Sequence, residues 1–98
     1  GLREQLLSFD RQGRPVAAIC AAPSILSELG ILKGRKACAY PSFEEGLECA
    51  EVVQEPVVTD GHVTTGRGMG AAIPFALRLT EVLVGAEKAE EIRKSIVY

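Results

Sequence analysis

The chain has a single histidine and three cysteines, Cys20, Cys38 and Cys49, none in the close pairs that mark zinc sites or redox dithiols. An odd number of separated cysteines fits reduced thiols in a cytoplasmic protein, and no metal site or cofactor is expected. No apolar run approaches the roughly 20 residues that span a bilayer, and no signal peptide is visible, so no membrane partner is expected. Eleven basic residues against thirteen acidic ones give a net charge of −2. The charges are spread along the chain, without the basic patch that nucleic acid requires. Repeats and low-complexity segments are lacking too. The first residue is Gly1 rather than methionine, and a helical pattern begins almost at once.

What the 98 residues do have is apolar content of 47%, enough for the core of one domain at most. Leu2, Leu6 and Phe9 mark one face of a first helix, with Gly13 as its stop. Residues 15–20 read as a strand apolar on both faces, which belongs inside a parallel sheet. A helix over 22–29 closes at Gly30, and residues 36–40 read as a second short strand ended by Pro41. Ser42 is placed to cap a short helix, and Val52-Val53 suggests a brief strand. Residues 56–59 and 62–65 flank Asp60-Gly61, a two-residue hairpin signal. Gly66-Arg67-Gly68-Met69-Gly70 opens a long apolar helix over 71–84, with Pro74 tolerated in its first turn. Ala72, Phe75, Ala76, Leu79, Val82 and Leu83 should bury one side of it, and a last charged helix turns Ala89, Ile92 and Ile96 inward. Strands alternating with helices predict a three-layer α/β architecture. Too few strands are present to surround the one ending at Cys20, so residues 1–98 are expected to be the carboxyl-terminal part of one larger domain.

The junction Val16-Ala17-Ala18-Ile19-Cys20-Ala21-Ala22-Pro23 concentrates the chemistry. An apolar strand runs into a cysteine, small residues and a proline follow, and a helix begins. Such a cysteine sits on a tight turn at the carboxyl end of the strand, and the N–H groups and dipole of the following helix favour thiolate. The same geometry with serine makes the nucleophile elbow of hydrolases. Against this stands a plain alternative, a small buried hydrophobe that ends a strand.

Other residues read more simply. Cys38, in a short buried strand, is expected to be inert, and Cys49, among Glu48 and Glu51, to be exposed. Glu44, Glu45, Glu48 and Glu51 read as a solvated acidic face. His62, on the hairpin, is expected to be exposed and without a role. Arg67, between glycines ahead of a helix, either meets an anionic substrate or packs as a structural residue. The glycine run lacks the lysine of a phosphate loop and the spacing of a dinucleotide site.

Taken in order, Ala17-Ala18-Ile19-Cys20-Ala21-Ala22-Pro23, Gly30-Ile31-Leu32-Lys33-Gly34-Arg35-Lys36, Tyr40-Pro41, Val57-Val58-Thr59-Asp60-Gly61 and Thr65-Gly66-Arg67-Gly68-Met69-Gly70 resemble the ThiJ/PfpI superfamily. They are most similar to its branch around the human parkinsonism-associated deglycase. The resemblance covers the whole chain but only the second half of that domain. It implies a flavodoxin-like α/β/α sandwich, with a mostly parallel sheet and a β-hairpin, that is usually a homodimer. It also implies a partner, the amino-terminal half of the domain, present as a separate chain or a missing segment. Cys20 is then the reactive residue and the backbone N–H of Ala21 an oxyanion donor. A glutamate and glycine N–H groups that complete such sites lie in the half not represented here. Tyr40 stands where that branch often has histidine, and Met69 and Gly66 replace a proline and a serine, so Tyr40 and Arg67 become residues of the pocket. The function so implied is cysteine-dependent chemistry on small reactive carbonyls, of glyoxalase or deglycase type. Its rivals are a non-catalytic redox sensor or chaperone whose cysteine is oxidised to sulfinic acid, and, further off, a peptidase or a glutaminase-type amidotransferase.

Overall fold

Two small sheets and four helices make up the fold, seen in a computed structural model that describes all 98 residues. Helix α1 (Leu2–Arg11) stops short of Gly13, whose φ of +68° suits a residue without a side chain. Strand β1 (Val16–Ile19) follows, and α2 (Pro23–Glu28) opens on a proline at its first position, where the ring's fixed φ is already helical. Short β2 (Lys36–Ala37) pairs in parallel with β3 (Glu51–Val52). Between them, Pro41–Gly46 is a 3-10 turn that begins at the proline and takes no side-chain cap, so Ser42 does not cap it as expected. Residues 38–40 continue beyond β2 outside the ladder, which makes this strand shorter than the sequence predicts.

The hairpin of β4 (Val57–Asp60) and β5 (Val63–Gly66) pairs Asp60 with Val63, so Gly61 and His62 form its turn. This is one residue later than the Asp60-Gly61 signal indicates. Gly61 carries the positive φ, +63°, and a glycine at the first central position is the type II′ arrangement. β1 pairs in parallel with β5, Val16 against Val63 and Ile19 against Gly66. The sheet order is therefore β1-β5-β4, with β1 on an edge rather than inside. Its burial is uneven: Val16 is buried, Ala17 exposed, and Ala18 and Ile19 half-buried.

Val16, Leu26, Ile31, Leu32, Ala37, Ala39, Leu47 and Val63 form the core, with Leu6, Leu7 and Phe9 of α1 packed against it. Leu26, Leu32 and Leu47 are fully enclosed, and each such side chain contributes roughly 1.5–3 kcal/mol. The two buried threonine hydroxyls are satisfied: Thr64 Oγ1 lies 3.0 Å from Thr59 Oγ1, and Thr65 Oγ1 accepts from the Cys38 N–H at 3.0 Å.

Helix α3 (Ala72–Val84) follows a short 3-10 turn, Met69–Ala71, and α4 (Ala86–Ser95) folds back along it after Gly85. No residue of α3 is buried. The periodicity of its apolar residues is real, and β4, β5 and α4 lie against it, but they leave it only half-covered. Leu83 is 64% exposed where the pattern expects it inside. In α4 Ala89 is buried and Ile92 half-buried, and Ile96, just past its end, is exposed.

Candidate active site

Cys20 directly follows β1 and takes a backbone φ of +66°. A residue with a Cβ enters this left-handed conformation at a cost of roughly 1–2 kcal/mol. Two main-chain hydrogen bonds hold it there. The Cys20 N–H donates to the Gly66 carbonyl at 3.0 Å, and the Cys20 carbonyl accepts from the Tyr40 N–H at 2.8 Å. At about 0.5–1.5 kcal/mol net apiece, the two bonds are comparable to the strain they oppose. The sharp turn expected between the apolar strand and α2 is therefore built, with the half-buried Cys20 at its apex.

The turn is braced on its far side. The Ala22 N–H donates to Ile19, and the Ala21 carbonyl accepts from both the N–H and the Oγ of Ser24, the latter at 2.7 Å. The Ala21 N–H itself has no acceptor within the chain. A free main-chain donor thus adjoins the cysteine. Opposite, Gly66 lies under α3, where a Cβ would come within 2.7 Å of Phe75 Cδ1 and 2.9 Å of Ile19 Cγ1. With Phe75 and Ile19 placed as they are, a glycine here lets the helix close over the carbonyl that holds Cys20.

Tyr40 and Arg67 line one cavity of about 480 Å³ together with Pro41, Gln54, Pro56 and Met69. The sequence paired them as pocket residues, and the structure brings them together. Cys20 and Ala21 are not among the lining residues, and the link from the cavity to the elbow is the Tyr40–Cys20 main-chain bond. Met69 stands 90% exposed at the rim.

The acidic face is only partly solvated. Glu44 turns its carboxylate inward, with Oε2 3.9 Å from Arg67 Nη2 and its side chain 19% exposed. Glu44 Oε2 and Arg67 Nε are both buried without a hydrogen-bond partner. Sequence reasoning missed this pair, because a run of glutamates carries no sign of which one faces a distant arginine.

Cys38 is fully buried, and its thiol donates to the Thr65 carbonyl at 3.3 Å. Burial pushes the thiol pKa up, partly offset by hydrogen bonds from Thr65 and Val58. Cys49 is exposed. His62 departs from expectation: it is half-buried, with Nε2 2.7 Å from Asp10 Oδ1. The one-residue shift of the turn brings it against α1. It lies at the start of β5, whereas Cys20 lies beside the end of that strand, so no Cys20–His62 dyad forms.

The sequence matches the DJ-1/PfpI family over residues 2–82. Among curated relatives, Protein DJ-1 homolog A of Arabidopsis thaliana is 46% identical over 93% of this chain and 24% of its own length. The glutathione-independent glyoxalase DJR-1.2 of Caenorhabditis elegans is 33% identical over 95% of this chain and 50% of its own. The crystal structure of Drosophila melanogaster DJ-1beta superposes with a TM-score of 0.92 at 38% identity, covering 98% of this chain and 53% of that one. The architecture is thus flavodoxin-like α/β, and the chain spans half or less of the length of these curated relatives.

Proposed function

The chain belongs to the DJ-1/PfpI family, and on that premise we propose that Cys20 is the nucleophile of an enzyme acting on small reactive carbonyls, of glyoxalase or deglycase type. The observation that carries this reading is the left-handed backbone at Cys20 with the unengaged Ala21 N–H beside it. The thiolate sulfur adds to the aldehyde carbon of an α-oxoaldehyde, and the carbonyl π pair moves to oxygen. The Ala21 N–H donates to that oxyanion, which then takes up a proton to give a hemithioacetal. Donors aimed at a developing oxyanion are each worth roughly 10²–10³ in rate. Tyr40 supplies a hydrogen-bond donor to the polar end of the substrate in the adjoining cavity, whose wall Arg67 helps to form.

The complete site takes in a further segment, the counterpart of the part of the relatives that this chain does not match. Supporting this are the edge position of β1, the absence of a buried residue in α3 and the half-length match. We place residues 1–98 as the carboxyl-terminal part of one domain, working with that segment and as a homodimer.

Native mass spectrometry of the purified protein, followed by a methylglyoxal assay, tests the reading. A second polypeptide of similar size travels with the chain, and Cys20→Ser lowers turnover by about 10² or more while the fold is kept. Turnover retained in Cys20→Ser overturns it. Sulfinic acid formation at Cys20 under mild peroxide, with no methylglyoxal consumed, would instead establish the redox-sensor reading.

A further inference from the structure

Two main-chain bonds only about match the strain at Cys20, so the elements that supply them must themselves be fixed. One is Gly66, the residue before Arg67. The other is Tyr40, the residue before the Pro41–Gly46 turn that carries Glu44. Glu44 and Arg67 approach to 3.9 Å. The contacts therefore close a ring: Cys20 to the Gly66 carbonyl, along the chain to Arg67, across to Glu44, back through the 3-10 turn to Tyr40, and from the Tyr40 N–H to the Cys20 carbonyl.

Three other contacts tighten the same ring. The Phe43 N–H donates to the Tyr40 carbonyl at 2.8 Å, and the Arg67 N–H to the Pro56 carbonyl at 3.0 Å. A Cβ on Gly68 would rest 3.6 Å from Tyr40 Cδ2, so the glycine loop packs on the tyrosine ring. The only link between the two arms that depends on charge is the Glu44–Arg67 pair. Glu44 Oε2 and Arg67 Nε are buried without a hydrogen-bond partner, and with the side chains 19% and 35% exposed the opposite charge offsets part of what burial costs each group, so removing one leaves the other less well compensated.

We propose that Glu44 and Arg67 are positioning residues for Cys20, a charged clasp that holds the Gly66 and Tyr40 arms against the strained elbow. Neither touches the sulfur on this view; both act through the two main-chain bonds. The inference deepens the reading of Cys20 as nucleophile and rests on it for its functional meaning, but its test does not require turnover.

The test uses the purified protein together with whatever segment travels with it. Amide hydrogen exchange is followed at Cys20 and Tyr40 by NMR, and alkylation by iodoacetamide is followed at each cysteine by peptide mass. In alkylation the sulfur bonds to the methylene carbon and iodide leaves, so the rate reports the thiolate directly. Glu44→Gln and Arg67→Gln are each expected to speed exchange at the Cys20 and Tyr40 amides at least about tenfold, with the Val63 amide unchanged. The Cys20 alkylation rate should move in the same direction in both variants, with Cys49 as the internal control. The double variant should be no worse than either single one. A through-space charge effect predicts the opposite pattern, because one substitution removes a negative charge and the other a positive charge. Opposite directions, or exchange at the two amides that follows Val63, overturn the proposal. If either glutamine variant fails to fold, Glu44→Asp draws the carboxylate back by one methylene from a contact already 3.9 Å long and must speed exchange at the same two amides. Unchanged exchange in that variant also overturns the clasp. If the amides loosen as expected while Cys20→Ser retains methylglyoxal turnover, the clasp stands and the nucleophile reading falls.

Discussion

His62 Nε2 and Asp10 Oδ1 meet at 2.7 Å across 52 residues of sequence, tying the hairpin turn to the end of α1. Arg35 joins them, with Nη2 3.8 Å from the same oxygen and Nη1 donating to the Asp60 carbonyl at 3.3 Å. The Lys36 N–H closes the group by donating to Asp60 Oδ2 at 2.8 Å. His62→Ala is therefore expected to lower stability by about 1 kcal/mol, since Arg35 still compensates Asp10. Because His62 lies at the far end of β5 from Gly66, alkylation of Cys20 should be unchanged. Urea unfolding and an alkylation time course check both halves. A shift in Cys20 reactivity would mean that the two ends of the strand are coupled.

Cys20→Gly should stabilise the fold by roughly 0.5–1 kcal/mol. Glycine adopts a φ of +66° without the Cβ clash, which outweighs the extra freedom it gains when unfolded. Cys20→Ser keeps the clash and should leave stability nearly unchanged. Denaturant midpoints of the two variants decide the matter. A glycine variant less stable than wild type would show that the cysteine side chain packs favourably enough to offset its own strain.

Cys38 sets an alkaline limit. Burial raises its pKa, so the folded state holds the proton more tightly than the unfolded chain does. Its contribution is fully present below the unfolded thiol value of about 8.5 and is lost as pH rises through the folded value. Wild type should lose more stability than Cys38→Ala between pH 7 and about pH 10, the variant being the less stable at pH 7 for want of the buried sulfur. Equal losses would assign the alkaline limb to other groups.

How much of this could be read from the chain depends on range. The elbow was legible because its parts are consecutive: apolar strand, cysteine, small residues, proline. The helix over residues 72–84 is legible as a periodic pattern, yet periodicity identifies a face without identifying what covers it, and no residue of α3 is fully buried. The hairpin turn falls one residue later than the sequence signal because Asp60-Gly61 and Gly61-His62 both offer a turn, and the glycine takes the first central position rather than the second. His62 with Asp10 and Glu44 with Arg67 could not be paired in advance. Those contacts exist only after β5 and the 3-10 turn have docked, and no local signal specifies a partner so far along the sequence.

The parallel register of β1 on β5 also orders assembly in time. β4 and β5 close through two residues, a step of microseconds in isolated hairpins, whereas Val16 must find Val63 after all the intervening chain has folded back. Pairings between distant segments form late, because loop closure is paid before the contacts reward it. The acceptor for the Cys20 N–H is the last residue of β5, so the elbow exists only once that late pairing is made. A chain caught before that stage carries an ordinary, unstrained cysteine, and the left-handed backbone at Cys20 is a record of whether folding has finished.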